Sequence, residues 1–160
     1  MSFEFNADEI FEMAEQLERD GAQFYRQAAQ RGLDPKAKHL LLSLAELEDE
    51  HRRVVKEMRA ELAAEEQEAQ VFDPEDEGPM YLRAFVETRV FFQKTVDASS
   101  VSEILKAGIE AERDSIVFYL GMRDLVPERL GKERVEEIIK QEMLHLRQLS
   151  EELRDKGAEL

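Results

Sequence analysis

The chain has 160 residues, 37% of them charged and 42% hydrophobic, with a net charge of −15 and no cysteine. That length suits one domain with a real core. The acidic balance argues against nucleic acid, whose phosphates need a basic surface, and the missing cysteine excludes disulfides and thiolate metal sites. No apolar run approaches the roughly 20 residues of a membrane span, and the N-terminus lacks a signal-peptide pattern. The expectation is a cytoplasmic protein without membrane or nucleic-acid partners.

Hydrophobic periodicity is helical nearly throughout, and no segment alternates long enough to read as a strand. A first helix is expected over 8–30, with Ile10, Ala14, Leu17, Gly21, Phe24 and Ala28 on one seam. Asp34 and Pro35 then supply an N-cap and a first helical residue. The second helix is expected to reach about Gln67, antiparallel to the first because the link is so short. The acidic stretch Val71–Pro79 reads as loop. A further helix over about 80–94 carries Tyr81, Ala84, Phe85, Phe91 and Phe92, an aromatic stripe suited to a core or a dimer interface. Ser100 or Ser102 caps a third helix ending near Asp124. Pro127 and Gly131 mark a turn before a fourth helix over 132–155. The plan is a single domain over 1–160: a hairpin (8–68), a long crossover with an extra helix (69–99) and a second hairpin (100–156). The fold class is all-α, a four-helix bundle.

The two hairpins carry one pattern twice. Glu18, Glu48 and His51 are matched by Glu112, Glu142 and His145, each pair 94 residues apart. One Glu from each of two helices, plus Glu-x-x-His from each of two others, is a ligand set with which a four-helix bundle holds two metal ions. In so acidic a chain Glu-x-x-His alone is a cheap match, so the neighbours decide. On a helix these lie three, four and seven residues away. Glu18 shares its column with Phe11, Ala14, Ala22 and Tyr25. Glu112 shares its own with Leu105, Gly108, Ile116 and Tyr119. Glu48 stands among Leu41, Leu44 and Val55, and Glu142 among Val135, Ile138, Leu146 and Leu149. By contrast Glu12, Glu46 and Glu110 have charged and polar neighbours, as solvated residues do.

Four buried carboxylates would repel one another strongly unless neutralised. Two divalent cations balance four carboxylates and two neutral imidazoles. Oxygen and imidazole donors without thiolate suit iron or manganese. The expectation is two metal ions, with Glu48 and Glu142 bridging and Glu18 and Glu112 terminal. The donors leave the metals as two iron ions, with manganese or a mixed iron/manganese pair as alternatives. The competing reading is a duplicated hairpin whose Glu face is solvated or forms a dimer seam. Tyr25 and Tyr119, one heptad past each terminal Glu, are candidates to bond the ligand carboxylates or pass electrons, against plain core tyrosines. Asp20 and Asp114 are candidates to support the histidines, against ordinary solvated positions. His39 reads as a surface residue.

These residues resemble the ferritin-like superfamily, specifically the rubrerythrin-type di-iron proteins, over about 9–58 and 101–153. Leu44-Ala45-Glu46-Leu47-Glu48-Asp49-Glu50-His51 is similar to the family's second-helix motif, and Glu112-Arg113-Asp114-Ser115-Ile116-Val117-Phe118-Tyr119 to its third. The resemblance implies a ferritin-like bundle and a redox centre that reduces peroxide or oxygen, an oxidoreductase of the peroxidase or ferroxidase kind. Two departures accompany it. Rubrerythrins proper carry a four-cysteine rubredoxin domain; without it, electrons must come from an external electron-donor protein. They also place a further carboxylate three residues past the third-helix ligand, where this chain has Ser115. The resulting symmetric set leans toward ferritin-like oxidases. A homodimer or higher homo-oligomer is expected. The alternatives are ferroxidation with iron handling, and a metal-stabilised interaction protein without turnover.

Overall fold

A computed structural model describes residues 7–31, 34–62, 82, 100–124, 126, 128 and 131–157. The described residues form four helices: α1 (Ala7–Ala29), α2 (Pro35–Ala60), α3 (Val101–Arg123) and α4 (Lys132–Asp155). Their ends follow local chemistry. The Asp34 carboxylate accepts from the Ala37 N–H at 3.1 Å, and Pro35 opens α2 where a missing N–H costs nothing. Ser100, not Ser102, caps α3, accepting from the Glu103 N–H at 3.2 Å. Gly131 precedes α4 at φ 94°, a left-handed conformation that favours glycine. A Cβ there would also meet the Arg134 side chain at 2.5 Å.

The second helix ends seven residues earlier than its composition suggests. Glu61 turns its N–H onto the carbonyls of Glu57 and Met58, and the Leu62 N–H bonds Arg59 in a tighter, three-residue step. This step takes Leu62 into the core beside Ile10 and Phe11. The Ala-Ala-Glu-Glu-Gln stretch that follows has high helix propensity but lies outside the described residues, as do Val71–Pro79. The expected 80–94 helix also lies outside them, apart from Leu82, which is buried in the same cluster.

The core falls into two apolar clusters. One joins Ile10, Phe11, Ala14 and Leu17 of α1 to Val55 and Met58 of α2, Phe118, Tyr119 and Met122 of α3, and Val135, Ile138 and Ile139 of α4. The other joins Tyr25, Ala28 and Ala29 to Leu41, Leu44 and Ala45, Ile104 and Leu105, and Leu149 and Leu153. The start of α1 thus lies level with the end of α2, the end of α3 and the start of α4. So α2 and α3 run the same way, and the connection between them must return the length of the bundle. That length is roughly 39 Å for the 26 residues of α2, which explains the long crossover. On every helix the duplicated Glu or Glu-x-x-His lies between the two clusters.

Ion pairs tie the ends. Arg59 of α2 grips Asp8 of α1 at 2.6 and 2.8 Å and reaches Glu15 at 2.9 Å. At the other end Lys36 of α2 pairs with Glu152 (3.0 Å) and Asp155 (2.9 Å) of α4.

Candidate metal centre

All six duplicated residues converge midway along the bundle, and each is at most 2% exposed. Their donor atoms form two overlapping groups, within each of which every atom lies within 4.8 Å of every other. One group is Glu18, Glu48, His51 and Glu142; the second is Glu48, Glu112, Glu142 and His145. Glu48 and Glu142 belong to both, and each remaining Glu has its own histidine. Both imidazoles present Nδ1 to the centre. His51 Nδ1 lies 2.7 Å from Glu142 Oε1 and 3.6 Å from Glu18 Oε2. His145 Nδ1 lies 3.3 Å from Glu48 Oε1 and 3.6 Å from Glu112 Oε1. The rings stack with centroids 5.5 Å apart.

Hydrogen bonding does not satisfy this cluster. Among the described residues, seven of its buried atoms have no hydrogen-bond partner: Glu18 Oε2, Glu48 Oε1, His51 Nδ1, Glu112 Oε2, both Glu142 oxygens and His145 Nδ1. Every one of the six side chains contributes at least one. Buried polar groups are almost always paired, so seven orphans facing one centre need a shared partner that is electron-poor. Two cations fit the need, and carboxylate and imidazole donors without thiolate fit iron or manganese. Acid–base behaviour points the same way. Burial, reinforced by neighbouring carboxylates, pushes Glu48 and Glu142 well above the usual carboxylate range. Burial also pushes Glu112 up, but the neighbouring Glu142 and His145 side chains and the Tyr25 hydroxyl outweigh it and hold Glu112 low. At His51 burial opposes the charged form, yet the Glu18 carboxylate and Gln141 win and raise its pKa.

Each tyrosine serves the opposite hairpin. Tyr25 of α1 donates to Glu112 Oε1 of α3, and Tyr119 of α3 donates to Glu18 Oε1 of α1. Each terminal Glu therefore has one oxygen held by a phenol and the other left free in the centre. Burial, with the charge of the partner Glu, pushes both hydroxyls well above the usual tyrosine range, so they remain donors. Gly108 makes room for Tyr25: a Cβ there would stand 3.4 Å from its ring and 3.2 Å from Leu149.

Glu12, Glu46, Glu110 and His39 are exposed, as their neighbours imply. Asp20 is half-buried and accepts from Gln16 at 2.6 Å, away from the histidines; Asp114 is likewise half-buried. A residue that periodicity does not single out supports a histidine instead. His51 Nε2 meets Gln141 Oε1 at 2.6 Å. The only trace in the sequence is that Gln141 pairs with Leu47 across the 94-residue offset, a polar–apolar break in the repeat.

The rubrerythrin family model matches residues 9–153. The chain belongs to the rubrerythrin family. Among solved structures it resembles a proposed ferritin-like diiron-carboxylate protein from Thermotoga maritima, whose crystal structure was determined at 2.30 Å. The identity is 25% and the TM-score 0.73, over 96% of this chain and 97% of that one. No curated protein matches. Fold, family and the Glu/His cluster thus agree on a ferritin-like bundle built around a dinuclear metal site. None of the described helices of this rubrerythrin-family chain is long and apolar enough to cross a membrane.

Proposed function

We propose that Glu18, Glu48, His51, Glu112, Glu142 and His145 hold two iron ions, and that the reduced centre reduces peroxide or oxygen with electrons from a separate donor protein. The observation that carries this reading is the set of seven orphaned atoms, which lie between two apolar clusters. Glu48 and Glu142, present in both donor groups, would keep the two metals together; Glu18 with His51, and Glu112 with His145, would complete each side. Two bound ferrous ions would supply the two electrons and the Lewis acidity that O–O cleavage needs. The chain's own residues prepare the site. The apolar clusters on either side exclude water and so strengthen every charge interaction within. Tyr25 and Tyr119 fix the orientation of the terminal carboxylates, leaving one oxygen of each free. Electrons arrive from elsewhere because the sequence has no cysteine with which to hold an iron–thiolate relay.

A second reading, ferroxidation with iron passed on or stored, is favoured by Ser115. This residue is buried three positions past Glu112, where its hydroxyl cannot act as an additional shifting carboxylate. Stopped-flow mixing separates the two. Diferrous protein mixed anaerobically with hydrogen peroxide is expected to oxidise faster than with oxygen at equal concentration, followed by ferric absorbance. Faster oxidation by oxygen, with iron accumulating beyond two per chain on further addition, assigns the protein to ferroxidation. No oxidation by either leaves a structural or manganese site.

A further inference from the structure

The pseudo-symmetry that pairs the six metal-site residues fails at a hydrogen bond next to them. Shifting by 94 residues exchanges Glu18 with Glu112, Glu48 with Glu142, His51 with His145 and Tyr25 with Tyr119. The two tyrosine–glutamate hydrogen bonds obey the exchange. The hydrogen bond from His51 Nε2 to Gln141 Oε1, at 2.6 Å, does not. The residue that would serve His145 in the same way is Leu47, which offers no polar atom and is 38% exposed.

We propose that Gln141 is a positioning residue that makes the two metal positions unequal, with the Glu18/His51 position the tighter. This inference rests on the dinuclear reading above. A neutral imidazole donates from one nitrogen and accepts, or ligates, at the other. Gln141 offers its carbonyl oxygen to Nε2, so Nε2 carries the proton and the Nδ1 lone pair is left facing Glu18 and Glu142. The Gln141 amide is itself oriented, since its Nε2 donates to Glu137 Oε1 at 3.5 Å one turn earlier on α4. His51 thus needs neither a change of tautomer nor a ring rotation to bind a cation. Leu47 cannot offer His145 that hydrogen bond, so among the described residues this device is seen at the His51 position. Partners of this kind raise metal affinity about 10- to 100-fold.

The test is a titration of metal-free protein with Co²⁺ under competition from a chelator, following the ligand-field absorbance. Wild type is expected to fill in two steps whose affinities differ about tenfold or more. Gln141→Leu, which installs the residue of the other half, should weaken the first step by about that factor and merge the two. Gln141→Glu, which keeps an acceptor, should retain two steps. A second readout needs no metal: nitrogen-15 NMR of the metal-free protein should show His51 as the Nε2–H tautomer in wild type and a mixture of tautomers in Gln141→Leu. Gln141 is only half-buried on a helix surface, so both variants should fold, and circular dichroism verifies that. If Gln141→Leu fills in the same two steps as wild type while Glu48→Ala binds no cobalt, the inference is overturned and the dinuclear reading stands. If wild type itself binds no cobalt, the dinuclear reading falls and this inference with it.

Discussion

Replacing Glu48 by alanine is expected to abolish binding of both metals, whereas Glu46→Ala, two residues away, leaves metal content unchanged. Glu48 is buried and belongs to both donor groups, so its loss removes a ligand from each ion at once. Glu46 is exposed on the opposite side of α2. Glu18→Ala should differ from both, because Glu18 belongs to one group and its loss leaves the Glu112/His145 position with its full set. Metal content measured on desalted variants separates the three. Loss of metal from Glu46→Ala with retention in Glu48→Ala would mean that Glu46, not Glu48, faces the metals.

The second large effect is on stability, and its sign reverses with metal. In the metal-free protein Glu48 and Glu142 sit well above the 4.5 of an ordinary Glu, chiefly through burial. A group whose pKa is raised by folding stabilises the fold fully below its unfolded value and loses that contribution as pH climbs through the folded value. His51, raised from 6.5, acts in the same direction. Glu112 is held low, so its contribution is lost only as pH falls below the ordinary range. Between about pH 5 and pH 8 the raised groups decide, and the metal-free melting temperature should fall as pH rises. Metal reverses this because it binds deprotonated ligands and only the folded state. At metal 1,000-fold above its dissociation constant each site adds about 4 kcal/mol, which is roughly 8–16 °C for a chain of this size. Melting curves with and without Fe²⁺ under nitrogen, at pH 5.5 and 8, check it. The gap between loaded and metal-free protein should widen at the higher pH. A metal-free protein that is more stable at pH 8 would show that the carboxylates do not crowd as described. Glu48→Ala, which relieves that crowding, should raise the metal-free melting temperature at pH 8 while removing the response to iron.

How much of this was legible in the sequence depends on the range of the interaction. Helix positions and the inward direction of Glu18, Glu48, Glu112 and Glu142 follow from neighbours three, four and seven residues away, and periodicity reports those directly. The division into shared and terminal carboxylates follows from which ones stand in Glu-x-x-His. What periodicity cannot report is pairing across the bundle. Tyr25 was visible as a neighbour of Glu18, but its hydroxyl crosses to Glu112, a partner set by how α1 and α3 pack. Gln141 was invisible for a related reason: it acts on a histidine of another helix, and the repeat that exposed the six ligands carries leucine in its place. The end of α2 was misjudged because propensity favours continuing through Ala63 and Ala64, while a tight turn that buries Leu62 closes the described helix at Ala60.

If the seven orphaned atoms face two metal ions, metal stoichiometry must show it. Metal-free protein is reconstituted with Fe²⁺ under nitrogen, desalted, and analysed for iron and protein on the same sample. Two iron ions per chain are expected. A reproducible value near zero, from folded protein, would contradict it.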